Sequence, residues 1–349
     1  MLIFGNAQLK LLEKLCNAIA VSGDESEVRK IVLEQVQPYA AEVKVDALGN
    51  VLATRLGKAK KRTRVMLDAH MDEVGLMIVA EDGEGIYRFE IVGDVDVCDL
   101  VGKQVLVGRE RTLGVIGAKP IHLMDAQEAT RIVPLDSLRI DLGPAGRAQV
   151  GDRAGFATRF RRVGPSIMAK SIDDRIGVAT LIELFRQAPP NIDLCAAFSV
   201  QEEIGLRGAK VAAQYFNPEL AIAIDSTPAN DLPLYDGSEN TSYNTRLGLG
   251  PAIYLADEST LHDPRLVCFL QETAEAQGIP YQLRQPGGGG NNAGAIQRSL
   301  SGIPTVSVSV PHRYTHSPVS IARLADWKNT INLIHAALQR ITPELVAVR

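Results

Sequence analysis

Arg64 to Gly75, RVMLDAHMDEVG, is the stretch on which the reading of this chain turns. Val65, Met66 and Leu67 form an apolar run of strand length, and Asp68, His70, Asp72 and Glu73 crowd its end. A histidine closing a strand, with a carboxylate two residues on, suits a metal ligand whose second ring nitrogen is held by that acid, which fixes the tautomer. Alone, the motif leaves His70 balanced between ligand and structural histidine, and co-ligands elsewhere must decide.

Just before it, EVKVDALGNVLATR (residues 42–55) alternates apolar and polar residues about a Leu48-Gly49-Asn50 turn, which predicts a β-hairpin leading into the His70 strand. Further upstream, Ser22 and Glu25 stand at capping-box spacing, and Val28, Ile31, Val32 and Val36 predict a helical face running to Pro38. The first twenty residues carry Lys10, Glu13 and Lys14 within their apolar periodicity, so they read as an amphipathic helix and not as a signal peptide or membrane span.

After residue 73 the pattern changes. LMIVA, YRFEIVG, KQVLVG, LGVIGAKP, LRIDLG and AGFATRF are short β-rich runs separated by turn residues, with no long helix between them, and predict a small β-barrel or sandwich inserted over residues 74–163. From Gly164 on, strand and helix alternate: IMAKS with DRIGVATLIELFRQ, LCAAFSV with GLRGAKVAAQYF, LAIAID with HDPRLVCFLQETAEAQ, YQLRQ with NNAGAIQRSL, and TVSVSV with a C-terminal helix bearing Trp327. The expected fold is α/β, a mixed, largely parallel central sheet flanked by helices, built from residues 1–73 and 164–349 around the insertion.

Hydrophobic residues at 46% and charged residues at 22% of the 349 residues place the chain among globular proteins with a large core. A net charge of -4, without a polybasic stripe, argues against nucleic acid and membrane as partners. Cys16, Cys98, Cys195 and Cys268 are scattered in apolar surroundings without CxxC spacing, which implies a reducing, cytoplasmic setting.

Four further places repeat the pattern at His70. Asp173 and Asp174 follow IMAKSI, Glu202 and Glu203 follow AAFSVQ, Asp225 follows LAIAI, and His316 follows the TVSVSV strand. Singly, each has an ordinary reading as a helix cap, first-turn acid or turn residue. Together they bring at least six metal-binding groups to the carboxyl edge of one sheet, where ligands of such folds gather and where uncompensated acids would repel. Two histidines with carboxylates and no cysteine suit Zn²⁺, or Co²⁺ or Mn²⁺, and suffice for two ions sharing a bridging carboxylate. With Glu203 aimed at a metal, the adjacent Glu202 is left to face the reacting water as general base.

DAHMDEVG, IDDRIG, QEEIGLRGA, AIDST and RYTHSP, in this order across nearly the whole chain, resemble the M42 family of dinuclear metalloaminopeptidases, the glutamyl and tetrahedral aminopeptidase group. The resemblance implies that His70 and Asp225 hold one metal, that Glu203 and His316 hold the other, that Asp173 bridges them, that Glu202 is the base and that Asp72 orients His70. It also implies a cis peptide between Asp173 and Asp174, peptide substrates, a dimerisation role for the insertion and a homododecamer built from dimers.

One departure stands out: where relatives show Thr-Asp before Ala-Gly-Ala-Ile, this chain has Asn291 and Asn292, so the usual charge at that loop is missing. Gly289, Gly290, Asn291 and Arg313 are the expected substrate-binding residues. Arg284, Arg298 and Arg313 lie in the acid-free stretch 276–325, and any of them facing the pocket would favour acidic N-terminal residues.

Gly288, Gly290 and Ala293 also fit a dinucleotide fingerprint, but no acid follows some 20 residues on to bind a ribose. Of the other histidines, which lack the strand-end company of acids, His335 reads as structural, and His122 and His312 are secondary candidates for lining the site, while His262 has no assigned part. Two readings other than a peptidase are open to this residue set. A metal-free, endoglucanase-like glycoside hydrolase could use Glu202 and Asp225 as its acid pair, but aromatics at 5% and the single Trp327 leave little with which to stack sugars. A non-catalytic peptide-binding shell protein would leave the ligand set without purpose.

Overall fold

The computed structural model describes residues 4–127, 130–238, 240, 244–284 and 286–347. Chain order begins α1 (Asn6–Asn17), α2 (Ser26–Val36), β1 (Glu42–Val45), β2 (Val51–Arg55), β3 (Thr63–His70), β4 (Gly75–Gly83), β5 (Ile86–Val92), β6 (Gln104–Val107), β7 (Thr112–Gly117), β8 (Arg139–Asp141) and β9 (Arg153–Phe156). It continues β10 (Arg161–Val163), β11 (Ser166–Ala169), α3 (Ile172–Arg186), β12 (Ile192–Ser199), α4 (Arg207–Phe216), β13 (Leu220–Pro228), β14 (Ala252–Tyr254), α5 (Pro264–Gln277), β15 (Gln282–Arg284), α6 (Asn292–Gln297), β16 (Thr305–Arg313), β17 (Ser320–Arg323) and α7 (Leu324–Arg340).

Eleven strands form one mixed sheet in the order β1-β2-β12-β3-β13-β16-β17-β11-β10, with β14 joining β16 and β15 joining β14. Its centre, β12-β3-β13-β16, is parallel. These strands read as unbroken apolar runs because helices cover both faces. The register sets Ser199 opposite His70 and Ala223 opposite Asp68, so β3 and β12 finish level at one edge and β13 carries Asp225 to the same level before running on to Pro228. The amphipathic helix α1 buries Leu11, Leu12, Leu15 and Cys16 in the main core, and α3 is buried along almost its whole length.

The insertion closes as a six-stranded antiparallel barrel, β4-β5-β8-β7-β6-β9, with Leu76, Ile78, Tyr87, Phe89, Val105, Ile116, Ile140 and Phe156 in its own core. Its last strand ends at Phe156. β10, inside the span expected for the insertion, pairs instead with β11 in the main sheet, because the two-residue Gly164-Pro165 turn folds Val163 back on Ser166.

Several acids that seemed free in the sequence are spent on structure. Glu73 is buried against Lys170 Nζ at 2.6 Å and Arg175 Nη2 at 3.2 Å, and these two cations also donate to the carbonyls of Ala18, Leu15 and Met71, tying α1, the end of β3 and the start of α3 together. The expected capping box at Ser22 and Glu25 does not form: α2 begins at Ser26, Glu25 accepts from Gly23 N, and the Ser22 hydroxyl donates to Asp72. Cys16 and Cys195 are buried, and burial pushes both thiols up to about 12. Cys98 and Cys268 are exposed, against the expectation of apolar surroundings for all four.

Candidate metal centre and active-site cleft

The level strand ends decide the site. His70 closes β3, Asp225 lies in β13, Glu202 and Glu203 follow β12, and His316 follows β16. Asp173 enters at the start of α3, where it and Asp174 depart from helical backbone and are joined by a cis peptide, as the family resemblance implied. The two acids face different ways. Asp174 is buried and turned inward, its oxygens accepting from His70 N and Gly177 N. A Cβ at position 177 would stand 2.3 Å from that carboxylate, so only glycine lets Asp174 fold back. Asp173 faces the cleft.

Its two oxygens serve two histidines. Asp173 Oδ1 is 3.2 Å from His70 Nε2 and Oδ2 is 3.7 Å from His316 Nε2. Asp225 Oδ1 lies 3.8 Å from His70 Nε2, and Glu203 Oε2 lies 3.2 Å from His316 Nε2. Two triads result, His70-Asp173-Asp225 and Asp173-Glu203-His316, each with one ligand atom per residue lying within 4.8 Å of the others. Glu202 lines the same cleft outside both triads.

Asp72 lies behind them, fully buried. Its Oδ1 accepts from Glu202 N at 3.0 Å, its Oδ2 accepts from Glu203 N at 3.2 Å and Ser22 Oγ at 2.6 Å, and His70 Nδ1 stands 3.5 Å from Oδ1. The turn carrying the glutamates is also held from below, where Asn50 accepts from Val200 N and donates to Gly208 O.

Electrostatics match a cation site. Burial, with Asp225, Glu203 and Asp72 around it, holds the Glu202 carboxyl well above the usual range, and burial with Asp173 does the same for Asp225. Burial would push the His70 imidazole down, yet Glu202, Asp173 and Asp72 hold it well above its usual value. Burial also opposes charge on His316, which its Glu203 hydrogen bond nevertheless raises to about 9. Asp173 moves the other way: burial would raise it, and His70 beside it holds it low. Glu203 Oε1 is buried without a hydrogen-bond partner. Excess acids, an orphaned carboxylate oxygen and two imidazoles converging on a shared acid fit divalent metal ions in both triads.

The cleft encloses about 250 Å³, and its far wall is made by Tyr254, Asp257, Arg284 and Gly288 to Asn291. Gly289, Gly290 and Asn291 line it as expected; Arg313 does not, being paired with Asp231 at 2.6 Å. Arg284 is the arginine of the wall, stacked 4.4 Å from the Tyr254 ring centroid and donating to Thr227 Oγ1 and Gly288 O. Asn292 is not at the cleft surface: its amide donates to Asp68 Oδ1 at 2.6 Å and Ser199 Oγ at 2.9 Å. The side chain at position 292 therefore does not line the cleft, and a carboxyl group stays at that spot on Asp68. Burial pushes that acid up to about 7.

His122 is exposed on the barrel, and His262 stands 3.6 Å from Asp257, five residues before it in the chain. Sequence reading missed Tyr254, Asp257 and Thr315 in the cleft lining. Adjacency to His316 was a usable signal for Thr315; Tyr254 and Asp257 had none.

The two triads at a parallel-sheet edge, with a spare glutamate beside them, define a hydrolase of the metallopeptidase type. The chain belongs to the M42 glutamyl aminopeptidase family, whose model matches residues 49–333. It is similar to a lysyl aminopeptidase of Pyrococcus furiosus, at 35% identity over 348 residues covering 96% of this chain and 97% of that protein. Among solved structures it resembles an aminopeptidase from the archaeon Desulfurococcus kamchatkensis, with TM-score 0.91 and 34% identity over 98% of this chain and 97% of that one. It also resembles the TET1 peptidase of Pyrococcus horikoshii, described as assembling into a tetrahedron or a large octahedral shell, with TM-score 0.82 and 32% identity over 96% of this chain and all of that one (100%). The protein is thus an aminopeptidase-type hydrolase.

Proposed function

We propose a dinuclear metal-dependent aminopeptidase that removes the N-terminal residue of peptides. His70 and Asp225 would hold one divalent ion, Glu203 and His316 the other, and Asp173 both, with Zn²⁺ the best match to this donor set and Co²⁺ or Mn²⁺ acceptable. The carrying observation is that the two oxygens of Asp173 are directed to two histidines, one closing β3 and one in the turn after β16. Such an ion pair supplies Lewis acidity and a lowered pKa for water. Glu202, whose carboxyl is raised by burial and its acidic neighbours, accepts the proton of the attacking water and returns it to the leaving amine. Asp72 keeps the His70 ring and the Glu202 backbone in one arrangement. Arg284 on the cleft wall supports a preference for acidic N-terminal residues.

Residues 1–73 and 164–349 would form the catalytic domain, and the barrel within 74–163 the subunit contact of a homododecamer built from dimers. Exposed Leu113, Ile121, Leu123 and Ile132 on or beside that barrel support this reading. No helix among the described residues is long and apolar enough to cross a membrane, which accords with a cytoplasmic enzyme. Hydrolysis of N-terminal amino-acid amides should be lost on dialysis against chelator and return with Zn²⁺, Co²⁺ or Mn²⁺ as two ions bind per subunit. Metal-independent hydrolysis, or saturation at one ion, would refute the dinuclear reading.

A further inference from the structure

His312 ends β16 fully buried, and the proposed mechanism does not use it. Its Nε2 lies 2.5 Å from Thr315 Oγ1, while its Nδ1 is buried without a hydrogen-bond partner. Burial pushes this imidazole down to about 4, so at neutral pH the ring is uncharged and carries one N–H. A proton on Nδ1 would be an orphaned buried donor, whereas on Nε2 it is donated to Thr315. The Thr315 oxygen therefore accepts from His312 and must direct its own proton elsewhere. Among the described residues Thr315 Oγ1 has no other hydrogen-bond partner, and its side chain borders the cleft.

The backbone here is shaped to present that residue. Tyr314 and His316 take left-handed φ values of 65° and 56°, flanking Thr315 at the end of the strand. The same cleft is lined by Asp173, Glu202, Glu203 and Asp225, whose carboxylates only accept when ionised, so the Thr315 hydroxyl is a neutral donor beside the triads. A carbonyl oxygen gaining negative charge there is stabilised by such a donor in addition to the ions the triads would hold.

We propose that the Thr315 hydroxyl, held by His312, donates a hydrogen bond to the carbonyl oxygen of the scissile peptide as water adds to it. Thr315 is then a catalytic residue and His312 a positioning residue. No proton leaves Thr315: the new C–O bond forms, the carbonyl π pair moves onto oxygen, the proton of the water goes to Glu202, and the threonine O–H bond stays intact. This inference rests on the aminopeptidase reading above.

The test compares Thr315→Val, Thr315→Ser and His312→Gln with the wild type on the best N-terminal amide substrate. It also measures inhibition by the matching α-aminophosphonate, a tetrahedral mimic, and by the free amino acid product. Thr315→Val should lower kcat by about a hundredfold with KM within about twofold, and weaken the aminophosphonate by the same factor. Metal content and product inhibition should not change. Thr315→Ser should recover most of the loss, and His312→Gln should fall between. Wild-type kcat in a metal-replete Thr315→Val enzyme, or a rise in KM alone, overturns the assignment of Thr315. A wild type that hydrolyses no N-terminal amide overturns the aminopeptidase reading and this inference with it.

Discussion

Asp72 and Glu202 are coupled through the backbone: Asp72 Oδ1 accepts from the Glu202 amide at 3.0 Å while standing 3.5 Å from His70 Nδ1. One buried residue thus holds the candidate ligand His70, whose Nδ1 also lies 3.2 Å from the Asp72 carbonyl oxygen, and sets the position of the adjacent candidate base. Burial would raise this acid, but its hydrogen bonds from His70, Ser22 and the Glu202 amide hold it low and ionised.

Replacing Asp72 with Asn keeps the shape but presents an NH₂ group where two backbone donors and His70 need an acceptor. Metal affinity should fall about 10- to 100-fold, as found when outer partners of ligand histidines are removed. Competition with a chromophoric chelator measures this directly. Unchanged affinity would leave Asp72 with only a structural part.

Glu202→Gln should keep both metals and lose roughly 10²- to 10⁴-fold in kcat. Turnover of the metal-replete variant decides, and near-normal kcat would remove Glu202 from the role of base.

The Asp68–Asn292 hydrogen bond predicts an exchange effect. Asn292→Asp would set two carboxyl groups 2.6 Å apart in a buried site and should destabilise the protein by on the order of 3 kcal/mol. The double variant Asp68→Asn/Asn292→Asp restores one acid and one amide, and thermal unfolding should show most of the stability regained. Equal Tm values for the single and double variants would dismiss the pairing.

His312 gives a pH-dependent term. Its folded pKa, about 4, is depressed below the usual 6.5, so the unfolded chain binds the extra proton as pH falls. Its stabilising contribution is complete above pH 6.5 and is lost as pH drops towards 4, a change of up to roughly 3 kcal/mol. The stability gap between wild type and His312→Asn should therefore narrow over that window in denaturant titrations of the metal-loaded proteins. A gap independent of pH would contradict a neutral buried ring.

For the barrel, Ile121→Asp with Leu123→Asp should shift the protein to smaller species in light scattering, since both side chains are largely exposed in the isolated subunit. An unchanged assembly would place the contact elsewhere.

The order of elements, the inserted β-unit and the residues that gather in the two triads were legible in the chain, because strand-end acids and histidines follow apolar runs whose period and length are local properties. Glu73 and Ser22 show where that reading stops: both sit in the right motifs, yet Lys170, Arg175 and Asp72, distant in sequence, consume them. Arg313 and Arg284 were equivalent as letters, and only the packing of β16 beside Asp231 and of β15 against Tyr254 separated a structural ion pair from a cleft wall. Likewise, Asn292 reads as a lost charge until β3 brings Asp68 to it. Sequence alone determined which chemistry could be assembled, since ligand type and strand-end position are written locally. Tertiary structure decided which oxygen faces which nitrogen, because hydrogen-bond partners and burial depend on segments that meet only when the sheet closes.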